Sequence, residues 1–364
     1  MWWGINCGTS SIRGCGGERR VAPSPAKRGR VGEGASPRQR LLVTPLLEVH
    51  DLHSHFHTRA GVVKAVNGVS FDLARGEVLG LVGESGSGKS VTGFSLIGLV
   101  DPPGRIVSGS IRFDGRELVG LPPAEMRAIR GKRIAMVFQD PAATLNPVLT
   151  VGAQMVLAVR AHGGVGERAA RDLSTRTLTR VGIPEAAARL DAYPHEFSGG
   201  MRQRVAIATA LLHGPELIIA DEPTTALDVS IQAQILAEMR ALARETGTAL
   251  IWISHDLATV SSLADRVMVM YAGRIVESGP VGEVLRAPRH PYTRGLLDSL
   301  PAMARPGERL NQIPGTTPSL LALPSGCPFR PRCPRGDEVC AADPPAVVSP
   351  GRMALCHHPL DRAA

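Results

Sequence analysis

One segment of eight residues constrains the fold of this chain more than any other, and it reads Gly83-Glu84-Ser85-Gly86-Ser87-Gly88-Lys89-Ser90. An apolar run (77–83) leads into this segment, and a helical pattern (89–99) begins at its Lys89. A strand before the segment and a helix after it are the context of a phosphate-binding loop. Glycines let backbone N–H groups surround phosphate oxygens, and the start of the helix adds partial positive charge. We expect Lys89 to bind the β and γ phosphates of a nucleotide and the Ser90 hydroxyl to bind Mg²⁺. A glycine-rich turn without a ligand is the alternative, and the strand and helix around it disfavour it.

The pattern of the chain from about residue 46 onward predicts an α/β fold. Short apolar runs alternate with helical patterns, and this alternation is typical of a largely parallel sheet covered by helices. The runs lie at 77–83, 133–139, 216–221, 248–254 and 266–271, and the helical patterns lie at 89–99, 151–181, 199–212 and 230–246. Residues 142–197 are mainly helical and interrupt the strands. We therefore expect a helical subdomain inserted into the α/β core.

Three parts of the chain are expected: a disordered basic tail (1–44), the α/β domain (45–285) and a small cysteine-bearing C-terminal domain (286–364). With 43% hydrophobic residues, the folded part can bury a proper core. The formal net charge of +8 does not indicate a nucleic-acid partner, because residues 1–40 carry eight Arg or Lys against only Glu18 and Glu33. The tail therefore holds most of the excess charge.

No run of the sequence approaches the roughly 20 apolar residues that a membrane span needs. The first residues also lack the continuous apolar core of a signal peptide. We expect the chain to stay in the cytoplasm.

Two adjacent acids, Asp221 and Glu222, end an apolar strand that begins at Leu217. Carboxylates at the C-terminal end of a strand lie at the ligand-binding edge of an open α/β sheet. We expect Asp221 to bind Mg²⁺, directly or through water, and Glu222 to act as the general base for the attacking water. Acids at this position are often only helix caps, but the phosphate-binding loop upstream favours the catalytic interpretation.

A third element is the segment Phe197-Ser198-Gly199-Gly200-Met201-Arg202-Gln203-Arg204. Together with the loop and the acidic strand, it resembles the signature of ATP-binding-cassette (ABC) ATPases. Gln139 at the end of a strand is similar to the Q-loop glutamine of that family, and His255 after Trp252-Ile253-Ser254 is similar to its switch histidine. Ala226-Leu227-Asp228 resembles its D-loop. The resemblance covers about residues 46–300.

This resemblance implies a P-loop NTPase of the RecA-like kind, with antiparallel β and helical subdomains, that hydrolyses ATP between two cassettes. Gln139, Glu222 and His255 are then the catalytic group, and the Mg²⁺ ligands are Ser90, Gln139 and Asp221. The signature residues complete the ATP site of the partner subunit, and they are Ser198, Gly199, Gly200 and Met201. Met201 replaces the commoner Gln, which leaves intact the phosphate binding by Ser198, the glycine backbone and the helix start.

An aromatic residue, Phe56, lies about 27 residues before the phosphate-binding loop. The ABC family places there an aromatic side chain that stacks on adenine. A Phe that only packs in the core is the alternative.

Finer features of the sequence resemble the dipeptide and oligopeptide importer branch, with the dipeptide branch nearest. They are Gln139-Asp140-Pro141, Leu145-Asn146-Pro147, the run 221–234 and His290-Pro291-Tyr292-Thr293-Arg294. Nickel and glutathione importers share many of these sequence features and remain alternatives. The resemblance implies a peripheral protein at the cytoplasmic face of the cell membrane. It also implies a second ATPase subunit, two membrane permeases that contact the surface near Gln139 and 141–160, an extracytoplasmic peptide-binding protein, and no nucleic acid.

The rival of a different class is a soluble cassette ATPase that acts on ribosomes or DNA. Such proteins carry two cassettes in one chain or a long coiled-coil insertion. This sequence has one cassette and neither addition, so we expect a transporter subunit.

Four of the six cysteines crowd into 30 residues, at Cys327, Cys333, Cys340 and Cys356. In a reducing compartment this indicates a metal or cluster more than disulfides. Zinc sites usually include a C-x₂₋₄-C pair, which is missing here, whereas iron–sulfur ligands tolerate wider spacing. The segment resembles the C-terminal domain of peptide importer subunits, in which four cysteines bind a [4Fe-4S] cluster. Zinc and unligated cysteines remain alternatives, and we expect a structural role because nothing in the sequence places these residues near the ATP site.

Overall fold

The computed structural model of the protein describes residues 44–224, 228–301 and 311–360. The predicted basic tail lies outside these residues apart from Thr44, and so do Ala226 and Leu227 of the predicted D-loop.

An eight-stranded sheet forms the centre of the fold, in the order β11-β12-β10-β9-β3-β8-β7-β6. Its five parallel strands are β3 (Val78–Val82), β6 (Ile134–Val137), β7 (Leu217–Asp221), β8 (Ala249–Ser254) and β9 (Arg266–Tyr271). Every residue of β3, β7 and β8 is buried. Continuous apolar strands of this kind belong to a sheet that is covered on both faces, as the sequence predicts.

The remaining strands of this sheet are antiparallel: β10 (Arg274–Pro280), β11 (Ala346–Ser349) and β12 (Arg352–Leu355). Strand β12 pairs with β10 through Glu277 opposite Ala354 and Ser278 opposite Met353. The central sheet therefore continues into residues 286–364, the segment that the sequence assigns to a separate C-terminal domain. That division remains a prediction.

A second, antiparallel sheet has the order β2-β1-β4-β5. Its strands are β1 (Leu47–Thr58), β2 (Gly61–Leu73), β4 (Gly104–Phe113) and β5 (Arg116–Glu117). The buried face of this sheet shares one apolar cluster with Leu79, Leu81 and Ile219 of the central sheet. Helix α1 (Lys89–Leu96) follows β3 directly and contacts both sheets.

The helices between β6 and β7 confirm the expected helical insertion. They are α3 (Pro141–Thr144), α4 (Val151–Arg160), α5 (Glu167–Arg180), α6 (Ala186–Arg189) and α7 (Gly199–Leu211). Thr150 caps α4 by accepting a hydrogen bond from the Ala153 N–H at 3.2 Å. Val151, Met155 and Val159 lie on one face of α4 and join the core that α5 and α7 also form.

The other helices lie around the central sheet. They are α2 (Pro123–Ile129), α8 (Val229–Thr246), α9 (Leu257–Leu263), α10 (Val281–Arg286) and α11 (Pro291–Asp298). Within the described ranges, none of the helices is both long and apolar enough to cross a membrane.

Candidate nucleotide-binding site

The predicted phosphate-binding loop connects β3 to α1. Gly88 adopts a φ of 105°, and a Cβ atom added there would lie 2.1 Å from the carbonyl oxygen of Ala65. Both facts require glycine, because a side chain would be strained and would collide with backbone. The Lys89 ammonium donates to the carbonyl oxygens of Gly83 at 2.8 Å and Glu84 at 3.0 Å. The loop therefore wraps around the lysine that we expect to bind phosphate.

Lys89 is almost fully buried, with 5% of its surface exposed. Burial lowers its pKa, and the nearby carboxylates of Glu222 and Asp221 oppose that effect. Lys89 is the first residue of α1, so its ammonium and the backbone N–H groups at the helix start lie together, which suits an anionic ligand.

Ser90 and Asp221 meet beside this lysine, although 131 positions separate them in the sequence. The Ser90 hydroxyl donates to the Asp221 carboxylate at 3.1 Å. Burial raises the pKa of Asp221, because a low dielectric disfavours the charged form. The Ser90 hydroxyl and the Asp221 carboxylate thus lie next to each other, and both are oxygen ligands of the type that Mg²⁺ prefers.

Glu222 follows β7 and adopts a φ of 43°, which is uncommon for a residue with a side chain. Its N–H donates to the carbonyl oxygen of Ile253 at 3.0 Å, which ties this turn to β8. Its Oε2 atom lies 3.1 Å from Gln139 Nε2 and 3.2 Å from His255 Nδ1. The three residues that we predicted as the catalytic group are therefore adjacent. Backbone strain of this kind is common at functional sites.

Gln139 was also predicted to be a Mg²⁺ ligand. Among the hydrogen bonds of the described residues, its amide bonds to Glu222 and not to Ser90 or Asp221. Its assignment to the metal remains a prediction.

A cleft of about 600 Å³ is lined by Lys89, Ser90 and Glu222 and also by apolar side chains. Phe56 is one of these apolar side chains and lies opposite Val63 in the β1–β2 register. Gly104 of β4 allows this position, because a Cβ atom there would lie 2.5 Å from the Phe56 ring. The cleft is lined by Phe56, Val63, Ala65, Ser85, Gly86, Gly88, Lys89, Ser90, Val91, Gln139, Glu222, His255 and Leu320.

Leu320 is a lining residue that sequence reasoning missed. It belongs to the C-terminal segment, and its carbonyl oxygen accepts a hydrogen bond from the Lys64 N–H at 3.4 Å. No motif surrounds it, so no local signal could have identified it.

The predicted signature residues lie elsewhere. Ser198 caps α7 by accepting from the Met201 N–H at 3.3 Å, and both Ser198 and Gly199 are exposed. Gly200 packs against Ile231 of α8, where an added Cβ would lie 3.1 Å from a methyl group. Asp228 is exposed at the start of α8. None of these residues lines the cleft described above.

None of the four C-terminal cysteines in the described residues forms a disulfide, and Cys327, Cys340 and Cys356 are buried while Cys333 is half-buried. Burial raises the pKa of Cys327, Cys333 and Cys356, the last to about 11, and repulsion among neighbouring cysteines adds to the shift. The fold also brings two of these residues together, because the Cys327 N–H donates to the carbonyl oxygen of Cys340 at 3.0 Å. Such a set fits a cationic metal or iron–sulfur group, which favours thiolates.

A second donor set overlaps the first at Cys340. Donor atoms of Asp337, Cys340 and His358 lie within 4.8 Å of one another, and His358 Nε2 lies 2.8 Å from Asp337 Oδ2. This set offers one sulfur, one nitrogen and one oxygen, which is closer to zinc chemistry than to a cluster of four thiolates.

Comparisons with known proteins identify the family of the chain. The profile of the ABC transporter family matches residues 66–225, and that of the oligopeptide/dipeptide transporter C-terminal region matches residues 276–340. The chain is 51% identical to the oligopeptide transport ATP-binding protein OppD of Salmonella typhimurium, over 87% of this chain and 94% of that protein. It is 46% identical to the dipeptide transport ATP-binding protein DppD of Escherichia coli, over 87% and 98%.

Among solved structures, the ATP-binding cassette MJ0796, a dimer bound to ADP and Pi in a post-hydrolysis state, matches with a TM-score of 0.58 at 26% identity. The match covers 65% of this chain and 98% of that one. The fold is therefore that of an ABC cassette, as the sequence predicts. The chain belongs to the family of ATP-binding subunits of oligopeptide and dipeptide ABC transporters.

Proposed function

We propose that this ABC ATPase drives the import of dipeptides or oligopeptides. The observation that carries the proposal is that Lys89, Ser90 and Glu222 line one cleft, while Ser90 donates to the buried carboxylate of Asp221. The relatives named above are peptide transport proteins at about 50% identity over most of the chain, which supports the choice of substrate.

In this proposal Lys89 binds the phosphates and Phe56 stacks on the adenine. Ser90 and Asp221 would hold Mg²⁺, which would neutralise negative charge on the phosphates. Glu222 accepts the proton of the attacking water as general base. Gln139 and His255 orient its carboxylate, since each lies within hydrogen-bond distance of the same oxygen.

Two cassettes work together in this proposal. Ser198, Gly199, Gly200 and Met201 lie outside the chain's own cleft, and an exposed helix start is suited to bind the phosphates of a second subunit's ATP. We propose a related second ATPase subunit as the partner. Asp228, also exposed, would lie in the same interface.

The remaining partners are two membrane permeases, contacted through the surface near Gln139 and 141–160, and an extracytoplasmic peptide-binding protein. This arrangement puts the chain at the cytoplasmic face of the membrane. Importers of nickel or glutathione, and soluble ATPases that act on ribosomes or DNA, are the competing functions.

Purification and reconstitution test the function. The tagged chain should copurify with permeases from membranes, and peptides with their binding protein should stimulate ATP hydrolysis in proteoliposomes. The Glu222→Gln variant in the same complex is the matched control for hydrolysis by a contaminant. Stimulation by nickel or glutathione alone would overturn the peptide assignment, and copurification with ribosomes or DNA instead of permeases would overturn transport.

We further propose a [4Fe-4S] cluster on Cys327, Cys333, Cys340 and Cys356. The support is a set of four neighbouring thiols, three of them buried, with no short zinc knuckle. Protein purified without oxygen should be brown, absorb at about 400 nm and contain about four iron atoms per chain. Colourless protein with one zinc, lost on His358→Ala, would instead favour the Asp337–Cys340–His358 set.

A further inference from the structure

The second residue of the phosphate-binding loop, Glu84, is bound by an arginine from the cysteine-bearing segment. Arg332 Nη1 donates to Glu84 Oε2 at 2.6 Å, and Nη2 donates to Oε1 at 3.0 Å. This is a two-bond guanidinium–carboxylate pair, the strongest geometry for such an interaction. The Arg332 side chain is only 5% exposed and that of Glu84 is 28% exposed, so water screens the pair weakly.

Further residues hold Glu84 and Arg332 in position through hydrogen bonds. Thr317 Oγ1 donates to Glu84 Oε2 at 3.0 Å, and Arg332 Nε donates to the carbonyl oxygen of Pro314 at 2.9 Å. The Tyr271 hydroxyl accepts from Arg332 Nη1 at 3.3 Å. The Tyr292 hydroxyl accepts from the Glu84 N–H at 2.9 Å. Backbone and side chain of Glu84 are therefore both held.

An aromatic cluster supports these contacts from the C-terminal side. The ring centroid of Phe329 lies 5.2 Å from the ring centroid of Tyr271 and 5.4 Å from that of Tyr292. Phe329 directly precedes the 3-10 turn Arg330–Arg332, and Cys333 directly follows it. The turn between two of the clustered cysteines therefore packs directly behind the phosphate-binding loop. The sequence led us to expect no such proximity, because nothing local relates positions 84 and 332.

The Arg332–Glu84 pair matters because it changes the net charge beside the expected phosphate ligand. Glu84 places a carboxylate in a loop whose expected ligand carries several negative charges, and an unpaired carboxylate there would repel it. Burial alone would raise the pKa of Glu84, but the hydrogen bonds from Arg332 and Thr317 outweigh burial and hold the pKa below its usual range. Glu84 is therefore ionised, and Arg332 neutralises it.

We propose that Arg332 is a positioning residue of the nucleotide site: it neutralises Glu84 and holds the phosphate-binding loop in its binding conformation. The inference rests on the proposed binding of ATP by this loop. It makes the cysteine-bearing segment part of the nucleotide site, to which Leu320 of the same segment also contributes a lining residue.

A mutant cycle tests the proposal. Arg332→Met removes the cation and leaves Glu84 uncompensated, so the Kd for MgATP, measured by titration with a fluorescent nucleotide, should rise at least about tenfold. Glu84→Gln in the Arg332→Met background removes the unpaired charge and should restore the Kd to within about threefold of the wild type. A merely structural role predicts the opposite, namely that the second substitution adds to the loss.

Arg330→Met is the matched control, because Arg330 belongs to the same turn and its guanidinium makes no hydrogen bond to the phosphate-binding loop in the described part of the chain. It should bind MgATP like the wild type. If Arg332→Met does not fold, as judged by circular dichroism, Arg332→Lys keeps the charge but loses the two-bond geometry and should raise the Kd by a smaller factor.

Two failures can be told apart. Wild-type affinity in a folded Arg332 variant, or a double variant that binds more weakly than Arg332→Met, would overturn the inference while leaving the proposed function intact. A wild-type protein that binds no MgATP would overturn the proposed function itself.

Discussion

The imidazole of His255 lies 3.2 Å from the carboxylate of Glu222, and the two residues come from the ends of neighbouring parallel strands. Gln139, from the loop after β6, donates to the same carboxylate oxygen at 3.1 Å. Glu222, the candidate base, is thus oriented by Gln139, which follows β6, and by His255, which follows β8. The three residues lie at the same edge of the sheet.

Replacing Glu222 by Gln retains the size and the hydrogen-bonding shape but removes the base. We expect ATP to bind while hydrolysis falls by about 10² to 10⁴-fold. The assembled transporter should then be trapped with ATP bound, which single-turnover and filter-binding assays would detect. Near-normal turnover by this variant would contradict the assignment of the base.

Replacing Lys89 by Ala removes the cation that the loop encloses. Nucleotide binding and transport should both fail, because no other lysine of the loop can take its place. Filter binding with MgATP checks this, with Lys132→Ala, at an exposed position, as the matched control. Unchanged ATP affinity in Lys89→Ala would rule out the phosphate-binding role of the loop.

Replacing His255 by Ala should leave nucleotide affinity intact and lower turnover. The expectation follows from its contact with Glu222, the candidate general base. ATP and ADP affinities, measured side by side with the hydrolysis rate, test it. An equal fall in both affinities would show that His255 serves binding in general.

The buried pair of Arg352 and Glu277 should stabilise the attachment of β12 to the central sheet. Arg352 Nη2 lies 2.8 Å from Glu277 Oε1, and the Glu277 carboxylate, with 0% exposure, also accepts from the N–H groups of Arg289 and His290. Arg352→Met leaves this carboxylate without its cation, which typically costs about 3–5 kcal/mol. Urea unfolding should show a loss of that order.

The double variant Glu277→Gln, Arg352→Met is the companion to that experiment. It should recover part of the lost stability, because it no longer buries an unpaired charge. A change below about 1 kcal/mol in Arg352→Met would contradict the stabilising role of the pair.

Loss of the cysteine cluster should weaken nucleotide binding as well as iron content. Cys333 directly follows Arg332, so a change in its ligation would disturb the guanidinium that holds Glu84. We expect Cys333→Ala to lower bound iron and to raise the Kd for MgATP. Cys7→Ala, outside the set of four, should change neither quantity. A Cys333→Ala protein with normal iron would contradict the ligand assignment.

Local sequence alone determined the phosphate-binding loop, the acidic end of β7 and the class of the fold. The loop can be recognised in the sequence because its backbone needs glycine at fixed positions. Gly88 is an example, because its φ is 105° and an added Cβ would collide with the carbonyl oxygen of Ala65. The parallel sheet can be predicted from the sequence because strands buried on both faces must be apolar throughout. These requirements act within a few residues, so they leave a pattern in the sequence.

Only the tertiary structure decided which distant residues share the site. Arg332 and Glu84 are 248 positions apart, and the pair has neither periodicity nor fixed spacing to reveal it. Leu320 in the cleft and the pairing of β12 with β10 are of the same kind. Such contacts depend on how the chain returns to the sheet after α11, because packing and charge pairing act between surfaces that folding brings together and not between neighbours in sequence.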